Sequence, residues 1–571
     1  MPSSTSNFTK ESLEAKPAIP VRRIIWLLLS GLLIFSYHSS LHAPFVYDDK
    51  IEVIGNPTIR FLEEWQAILL YNPSRLLLQT SYALNFHFSA FDPFQYHLSN
   101  LIIQILSALC SLFFLEQLFL LFSRKKALFY ASFLSFLWIL HPMATESVVY
   151  ITGRSESLCA LFSLLSLGLY TKGLRTQNYW LQSLAWISVI FALLTKEVAL
   201  MLPPIFLWLE YCYTAQMPSK KKIIPLVLFL ALGFGIRFLI VLNENPSSSF
   251  LERLVFLIPN EVQRPLLVQL NTQMEAWLRY IALWIIPYPQ TIFHHIPDLN
   301  PFSVKGIGVL IGWLSVIGVG YKQAKKDPLR LFALGAAIFI LLPSSSFAAL
   351  KENMAEHRSH QFGLFFLLYL CTFLPERWLS WKRLSPLALL LSLLSFQRNQ
   401  VWMTEVSLWQ EATIRSPESA PAWYGLGDSH RFAKQFEPAL AAYSTCTRLD
   451  PKYYDCWNNF GITYAEMGNG SKATEIWLRV LQLNPSYCKA HTNLGFLAYQ
   501  QQNWEDAIVA FRSALVQCPE NVIAHYGLGL IYYRPRFDKE KAIFHLDQLL
   551  KINPNFDYAS DAREKLLELT W

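Results

Sequence analysis

Two adjacent carboxylates, Asp48 and Asp49, follow the first long apolar run of the chain, in the stretch HAPFVYDDKIEVIGNPTIR. A carboxylate this close to a bilayer is costly unless it meets water, a cation or a reacting group. Such a pair can accept a proton, and one member can raise the pKa of the other. The plain alternative is a solvated loop or a helix cap. Three further blocks put acids, bases and histidines at the ends of apolar runs: HPMATESVVYITGRSES (141–157), TKE (195–197) and KENMAEHRSH (351–360). They carry His141, Glu146, Arg154, Lys196, Glu197, Glu356, His357 and Arg358. Arg and Lys can clamp an anion such as a phosphate. Taken singly, each block is ordinary interfacial polarity. Arg154 could pair with Glu146 or Glu156, Lys196 with Glu197, and His141 could cap the helix before Pro142. His294–His295 imitates a metal pair, but adjacent side chains diverge on a helix. No obligatory metal is expected.

The elements that must position these residues are mostly membrane helices. Only 16% of the 571 residues are charged, against about 25% in soluble domains. Hydrophobic residues make up 53% and aromatic residues 15%, and the mean hydropathy is +0.27. A simple soluble enzyme is excluded. Spans of about 20 apolar residues, fewer with snorkelling flanks, are expected near 24–41, 98–122, 127–141, 156–171, 180–195, 197–214, 223–242, 304–321, 329–347, 360–375 and 384–397. Residues 1–23 read as a disordered tail, and 24–41 as a retained span rather than a cleaved signal peptide, since Pro44 directly follows Ala43. The stretch 269–287 is ambiguous, because Gln269, Asn271, Gln273, Glu275 and Arg279 precede its apolar run.

Basic clusters argue that this stretch is re-entrant or interfacial. Arg22–Arg23, Arg124–Lys126, Lys172–Arg175, Lys220–Lys222, Lys322–Lys326 and Arg377–Arg383 fall on one side only if 269–287 does not cross. That side is then cytoplasmic. The four chemistry-bearing blocks share the opposite face, as does the C-terminal domain. The net charge of +7 therefore reports topology, and no nucleic-acid partner is expected.

After a connector at 398–416, residues 417–571 repeat. Pro417, Pro451, Pro485 and Pro519 are 34 residues apart. Six residues after each comes an aromatic or histidine followed by a small-residue pattern: Trp423 with Leu426–Gly427, Trp457 with Phe460–Gly461, His491 with Leu494–Gly495, His525 with Leu528–Gly529. Ala439/Tyr443, Ala473/Trp477 and Ala507/Phe511 follow in step. A 34-residue helix–turn–helix period is the tetratricopeptide pattern. His491 and His525 are read as packing or groove residues. Cys488 and Cys518 lie at helix ends that an antiparallel pair brings together, as do Cys446 and Cys456. An oxidising compartment would allow two disulfides, with buried free thiols as the alternative. The absence of a CxxC spacing argues against structural zinc.

The motifs HAPFVYDD…NP, SYALNFHF…DPFQYHLSN, HPMATESVVYITGRSE, LLTKEVALMLPP and ENMAEHR, followed by these repeats, resemble the transmembrane-and-tetratricopeptide-repeat family of protein O-mannosyltransferases in the GT-C superfamily. The resemblance runs from about 24 to 571. It implies an all-α chain: a GT-C-like membrane domain at 24–397 of about 11 spans, followed by an extracytoplasmic tetratricopeptide-repeat solenoid. It also implies transfer of a sugar, mannose, from a polyprenyl-phosphate donor to Ser or Thr of a protein that the repeats recruit. The four compact repeats resemble bacterial members, with an inner-membrane location and a periplasmic C-terminal domain; a eukaryotic member would sit in the endoplasmic reticulum membrane. No cofactor beyond the lipid-linked sugar is implied. On this resemblance the base is Asp49 or Asp48, with Asp49 preferred, because a carboxylate can take the acceptor's proton. Arg358 with His357, then Arg154 and Lys196, would hold the donor phosphate. His141, Glu146, Glu197 and Glu356 would support them, Glu356 by orienting Arg358. Two alternatives stay open: the same chemistry on a glycan or lipid acceptor, and a non-enzymatic membrane scaffold that presents the repeats.

Overall fold

The computed structural model describes residues 19–219, 223–224, 264–343, 352–375, 380–534, 538–553, 556 and 558–570, and its regular elements are all helical. The chain divides into two compact units, Met1–Leu408 and Trp409–Trp571.

In the first unit the long helices are α1 (Ile19–Tyr37), α2 (Trp65–Tyr71), α3 (Leu76–Ser89), α4 (Pro93–Leu121), α5 (Ala127–Ile139), the short α6 (Glu146–Val149), α7 (Arg154–Thr176), α8 (Tyr179–Leu193) and α9 (Leu202–Thr214). They are followed by α10 (Leu266–Ile285), α11 (Val304–Ala324), α12 (Pro328–Leu341), α13 (His360–Cys371) and α14 (Trp381–Asn399). Each span expected from sequence coincides with one of these helices, except 223–242 and the end of 329–347, of which 225–242 and 344–347 lie outside the described residues. Among the described residues, four helical segments are long and apolar enough to cross a membrane: Arg23–His42, Pro93–Leu121, Arg154–Thr176 and Val304–Ala324. Ala127–Ile139 and Pro142–Val149 form a bent pair, turned by 62°. The break falls at Pro142, which has no N–H to continue the helix. The stretch read as ambiguous forms α10, and it turns Gln269, Asn271, Gln273 and Glu275 into the protein. Glu275 there pairs with Arg279 at 2.8 Å and Lys305 at 2.9 Å.

Apolar burial gives little drive for helix association in lipid, so small residues and interhelical hydrogen bonds carry much of it. Helix α4 packs on α5 and α7, and α1 on α14. Ser107 Oγ donates to the Ser157 carbonyl at 3.0 Å, Ser111 and Ser135 share a bond of 2.9 Å, and Ser36 and Ser392 one of 2.7 Å. A Cβ on Gly168 would lie 2.5 Å from the Phe113 ring.

The second unit is a series of antiparallel helix pairs, Ala420–Phe432 with Phe436–Leu449, Tyr454–Glu466 with Gly470–Leu483, Cys488–Gln500 with Trp504–Gln517, and Val522–Tyr533 with Lys539–Ile552, followed by Ala559–Thr570. The repeated glycine is explained by contact. A Cβ at Gly427, Gly461 or Gly495 would meet the ring of Tyr443, Trp477 or Phe511 at 2.5, 2.4 and 2.7 Å. The Trp/His position also has one physical role. Trp423 and Trp457 donate their ring N–H to the carbonyls of Pro417 and Pro451 at 2.9 and 3.2 Å. His491 and His525 place a ring nitrogen 3.3 and 3.1 Å from the carbonyls of Pro485 and Pro519. Cys446 is bonded to Cys456 and Cys488 to Cys518, with Cα separations of 6.6 and 6.1 Å.

Candidate active site

The loop after α1 closes on itself. Tyr47 adopts a left-handed conformation, φ 51°, uncommon for a residue with a Cβ, and the chain reverses there. Val46 N–H then donates to Asp49 Oδ2 at 3.1 Å, and Asp49 N–H to the Val46 carbonyl at 3.0 Å. Asp49 Oδ1 accepts from Thr152 N–H at 2.8 Å, so Asp49 ties this loop to the loop before α7. Asp49 is 1% exposed, and burial pushes its carboxyl up to about 7. The side chain of Asp48 is on the exposed side of the loop. Its backbone N–H donates to Tyr150 Oη at 3.1 Å.

Arg154 anchors the second loop from below. The sequence offered it Glu146 or Glu156 as a partner, or a donor phosphate. The structure places it elsewhere: its guanidinium is fully buried and donates to Asn100 Oδ1 at 2.6 Å, the Ser81 carbonyl at 3.2 Å and the Tyr96 carbonyl at 2.9 Å. It also lies 4.8 Å from the Tyr82 ring centre. A buried cation must be satisfied by hydrogen bonds, and these acceptors are the helices and turns that carry the loop. The neighbouring Gly153 is required by close approach, since a Cβ there would sit 2.5 Å from the Glu146 carbonyl oxygen.

The third block, residues 352–360, is held at several points. Tyr47 Oη donates to Glu352, which links it to the first loop. His357 N–H donates to Glu146 Oε2 at 3.1 Å, and His357 Nδ1 lies 2.6 Å from Glu146 Oε1. Glu356 does not orient Arg358. It accepts from Gln290 at 2.9 Å and Thr291 N–H at 2.7 Å and meets His294 at 2.9 Å. It therefore fixes the 290–294 turn, and His294 is its partner. Arg358 Nη1 donates to the Glu352 carbonyl at 2.9 Å, and Arg358 is half-buried. Burial raises the Glu352 carboxyl to about 7, with the Arg358 charge opposing the rise. Burial lowers the His357 imidazole to about 3, and the Lys196 and Arg358 charges push the same way. His357 is thus neutral at physiological pH.

In the fourth block, Lys196 reaches Glu156 at 2.6 Å in a buried pair, while Glu197 pairs with Arg75 at 3.4 Å. Lys196 thus takes the acid that sequence offered to Arg154, and Glu197, offered to Lys196, goes to Arg75 instead. His141 stacks on Trp284 with ring centres 4.6 Å apart and accepts from Met143 N–H at 3.3 Å, the arrangement of a helix-end cap.

The structure therefore gathers Asp48, Asp49, Glu352, Arg358, His357 and Glu146 into one group at one end of the first unit, with Tyr47 and Tyr150 between them. The Tyr150 ring lies 6.4 Å from that of Tyr47 and 6.3 Å from that of His357. Sequence reasoning passed over Glu352, Tyr47, Tyr150, Asn100 and Thr152. Glu352 stood in the ENMAEHR block, and Tyr47 beside the acid pair, so their proximity was visible but their roles were not. Among the described residues no group of three His, Cys, Asp or Glu side chains could hold a metal ion. Chemically, the group offers an exposed carboxylate, Asp48, whose backbone N–H is held by Tyr150, and a guanidinium, Arg358, held by the Glu352 carbonyl.

Tetratricopeptide-repeat models match residues 420–453 and 524–555, and a TPR-repeat model matches 497–534. The chain is 25% identical over 453 residues to a protein O-mannosyl-transferase of Caenorhabditis elegans, a match covering 75% of this chain and 63% of the worm protein. It is 25% identical over 515 residues to the human protein O-mannosyl-transferase TMTC3, covering 79% of this chain and 54% of the human one. The chain thus spans roughly half to two thirds of the length of these curated relatives. Among solved structures, a TPR protein of Thermus thermophilus is similar at 19% identity and a TM-score of 0.26, covering 33% of this chain and 97% of that one.

Proposed function

We propose that this homologue of the transmembrane-and-tetratricopeptide-repeat protein O-mannosyl-transferases is itself a membrane mannosyltransferase, using a polyprenyl-phosphate mannose donor and protein Ser or Thr hydroxyls. The observation that carries the reading is the link between the acid loop and the ENMAEHR loop through Tyr47 and Glu352, which brings Asp48 and Arg358 to one end of the bundle.

Asp48 is the base in this reading. It is exposed, whereas both oxygens of Asp49 already accept backbone N–H groups. Asp49 is a positioning residue: it fixes the loop that presents Asp48. This reverses the preference drawn from sequence, for the physical reason that a carboxylate so engaged has poor access to a substrate hydroxyl. In the reaction the acceptor O–H gives its proton to Asp48, and the acceptor oxygen bonds to the anomeric carbon. The bond from that carbon to the phosphate oxygen breaks on the opposite face, inverting the centre. Polyprenyl phosphate leaves carrying the electron pair. Arg358 faces the growing charge, which a preorganised cation stabilises strongly in a low-dielectric site. Lys196, through its buried pair, and neutral His357 shape the same field. Arg154 has no direct part. The repeats would receive the acceptor protein, as stacked repeats commonly do. The one-sided clustering of Lys and Arg in the sequence supports an extracytoplasmic acid-bearing end.

The test is incubation of the purified chain with polyprenyl-phosphate mannose and an unfolded Ser/Thr-rich acceptor. Labelled acceptor and free polyprenyl phosphate are expected in equal amounts. Donor consumption without protein label would move the acceptor to a glycan or lipid. No turnover with any polyprenyl-phosphate sugar would leave the scaffold reading.

A further inference from the structure

The end of the bundle opposite the acid loops is basic. Arg124, Lys125 and Lys126 connect α4 to α5, Lys322, Lys325 and Lys326 close α11, and Arg330 opens α12. Between the α4–α5 link, the start of α12 and the end of α13 lies a cavity of about 120 Å³, lined by Phe119, Arg124, Lys125, Tyr130, Leu368 and Thr372 among others. At roughly 10–15 Å³ per water-sized group, it holds about eight to twelve such groups. That is the scale of a glycerol phosphate, not of a whole lipid. Asp327 organises the mouth: one oxygen caps α12 by accepting from Leu329 N–H at 3.0 Å, and the other pairs with Arg124. Arg124 spends one of its five N–H donors on that pair. Lys125 is exposed beside it. The floor is apolar, and Phe373 and Leu374 next to it are each 43% exposed, a surface suited to acyl chain. Arg330 is fixed over Phe373 at 3.8 Å and donates to Thr372 at 3.0 Å.

We propose that this cavity binds the phosphate headgroup of an anionic phospholipid, with Arg124 and Lys125 on the phosphate and the first acyl carbons against Phe119 and Leu374. Cations outnumber acids at this end, which the positive-inside rule makes cytoplasmic, and basic pockets between helices on that side suit anionic headgroups. A lipid fits better than a soluble phosphate because charged mouth and apolar floor are continuous.

The test uses the full chain in neutral detergent. Phosphatidylglycerol and phosphatidylcholine are titrated separately, and bound lipid is counted by native mass spectrometry. Phosphatidylglycerol should bind at least five-fold more tightly, and Lys125→Ala should lose about five-fold of that affinity. Lys125 is exposed, so this variant folds where Arg124→Ala would also break the Asp327 pair. Lys322→Ala, at the same end but off the cavity, should bind as the unaltered chain does. Equal affinity for both lipids, or equal losses in the two variants, would overturn the site. Displacement of the lipid by free glycerol phosphate at the same concentration would overturn the lipid as its occupant.

Discussion

Substituting the two acids separately divides base from scaffold. In Asp49→Asn the amide keeps the shape but offers one acceptor where two are used, from Val46 at 3.1 Å and Thr152 at 2.8 Å. One buried N–H then faces an NH₂ group. A buried unsatisfied donor costs about 1–3 kcal/mol, or roughly 5- to 150-fold in the population of the ordered loop at 1.4 kcal/mol per tenfold. Transfer should fall by up to that factor, and thermal unfolding should shift down with it. Asp48→Asn removes the proton acceptor from an exposed position. Transfer should fall about 10²–10⁴-fold, with unfolding unchanged. The assay is initial-rate mannose transfer in parallel with a melting curve of each variant. Full activity in Asp48→Asn, together with a 10²–10⁴-fold loss in a normally stable Asp49→Asn, would refute the assignment and return the base to Asp49.

Arg358→Ala should lower transfer by roughly 10²–10³-fold while peptide binding by the repeats stays unchanged; equal donor turnover in variant and parent would make Arg358 structural. Stability should fall as pH rises from about 4 toward 7, because a carboxyl whose folded pKa is raised stabilises most below its unfolded value and loses this through its folded one; Asp49→Asn should flatten that profile in melting curves. Lys196→Met should destabilise by about 3–5 kcal/mol by stranding buried Glu156, and Lys196→Met with Glu156→Gln should recover most of that in denaturant melts; additive losses would contradict a coupled pair. Cys488→Ser should cost the repeat unit about 3–4 kcal/mol, given its 30-residue loop, read by chemical unfolding under non-reducing conditions; four free thiols by mass spectrometry would contradict both bonds.

The repeat unit was legible in the sequence because its signals are local. A 34-residue spacing of prolines fixes helix ends, and Gly427, Gly461 and Gly495 each face an aromatic within the same repeat. Helix position allowed the two disulfides but left buried free thiols as the alternative. The membrane unit was legible as helices, since apolar runs declare themselves, although only four are long and apolar enough to count as spans among the described residues. Partner choice was not legible. Lys196 and Glu197 are neighbours, yet the backbone is extended at Lys196 (φ −159°) and sends the two side chains to Glu156 and Arg75. Arg154 looked like a partner for Glu146, Glu156 or a phosphate, and Glu356 like a partner for Arg358. Both are decided by long-range burial that no short motif encodes. The order of the acid pair was likewise invisible, because it depends on one left-handed residue, Tyr47.

The most direct test of the account is a structure of this chain with a non-hydrolysable polyprenyl-phosphate mannose analogue. The account predicts its phosphate within hydrogen-bond reach of the Arg358 guanidinium, with the anomeric carbon open to the Asp48 carboxylate. A donor seated away from both loops would contradict it.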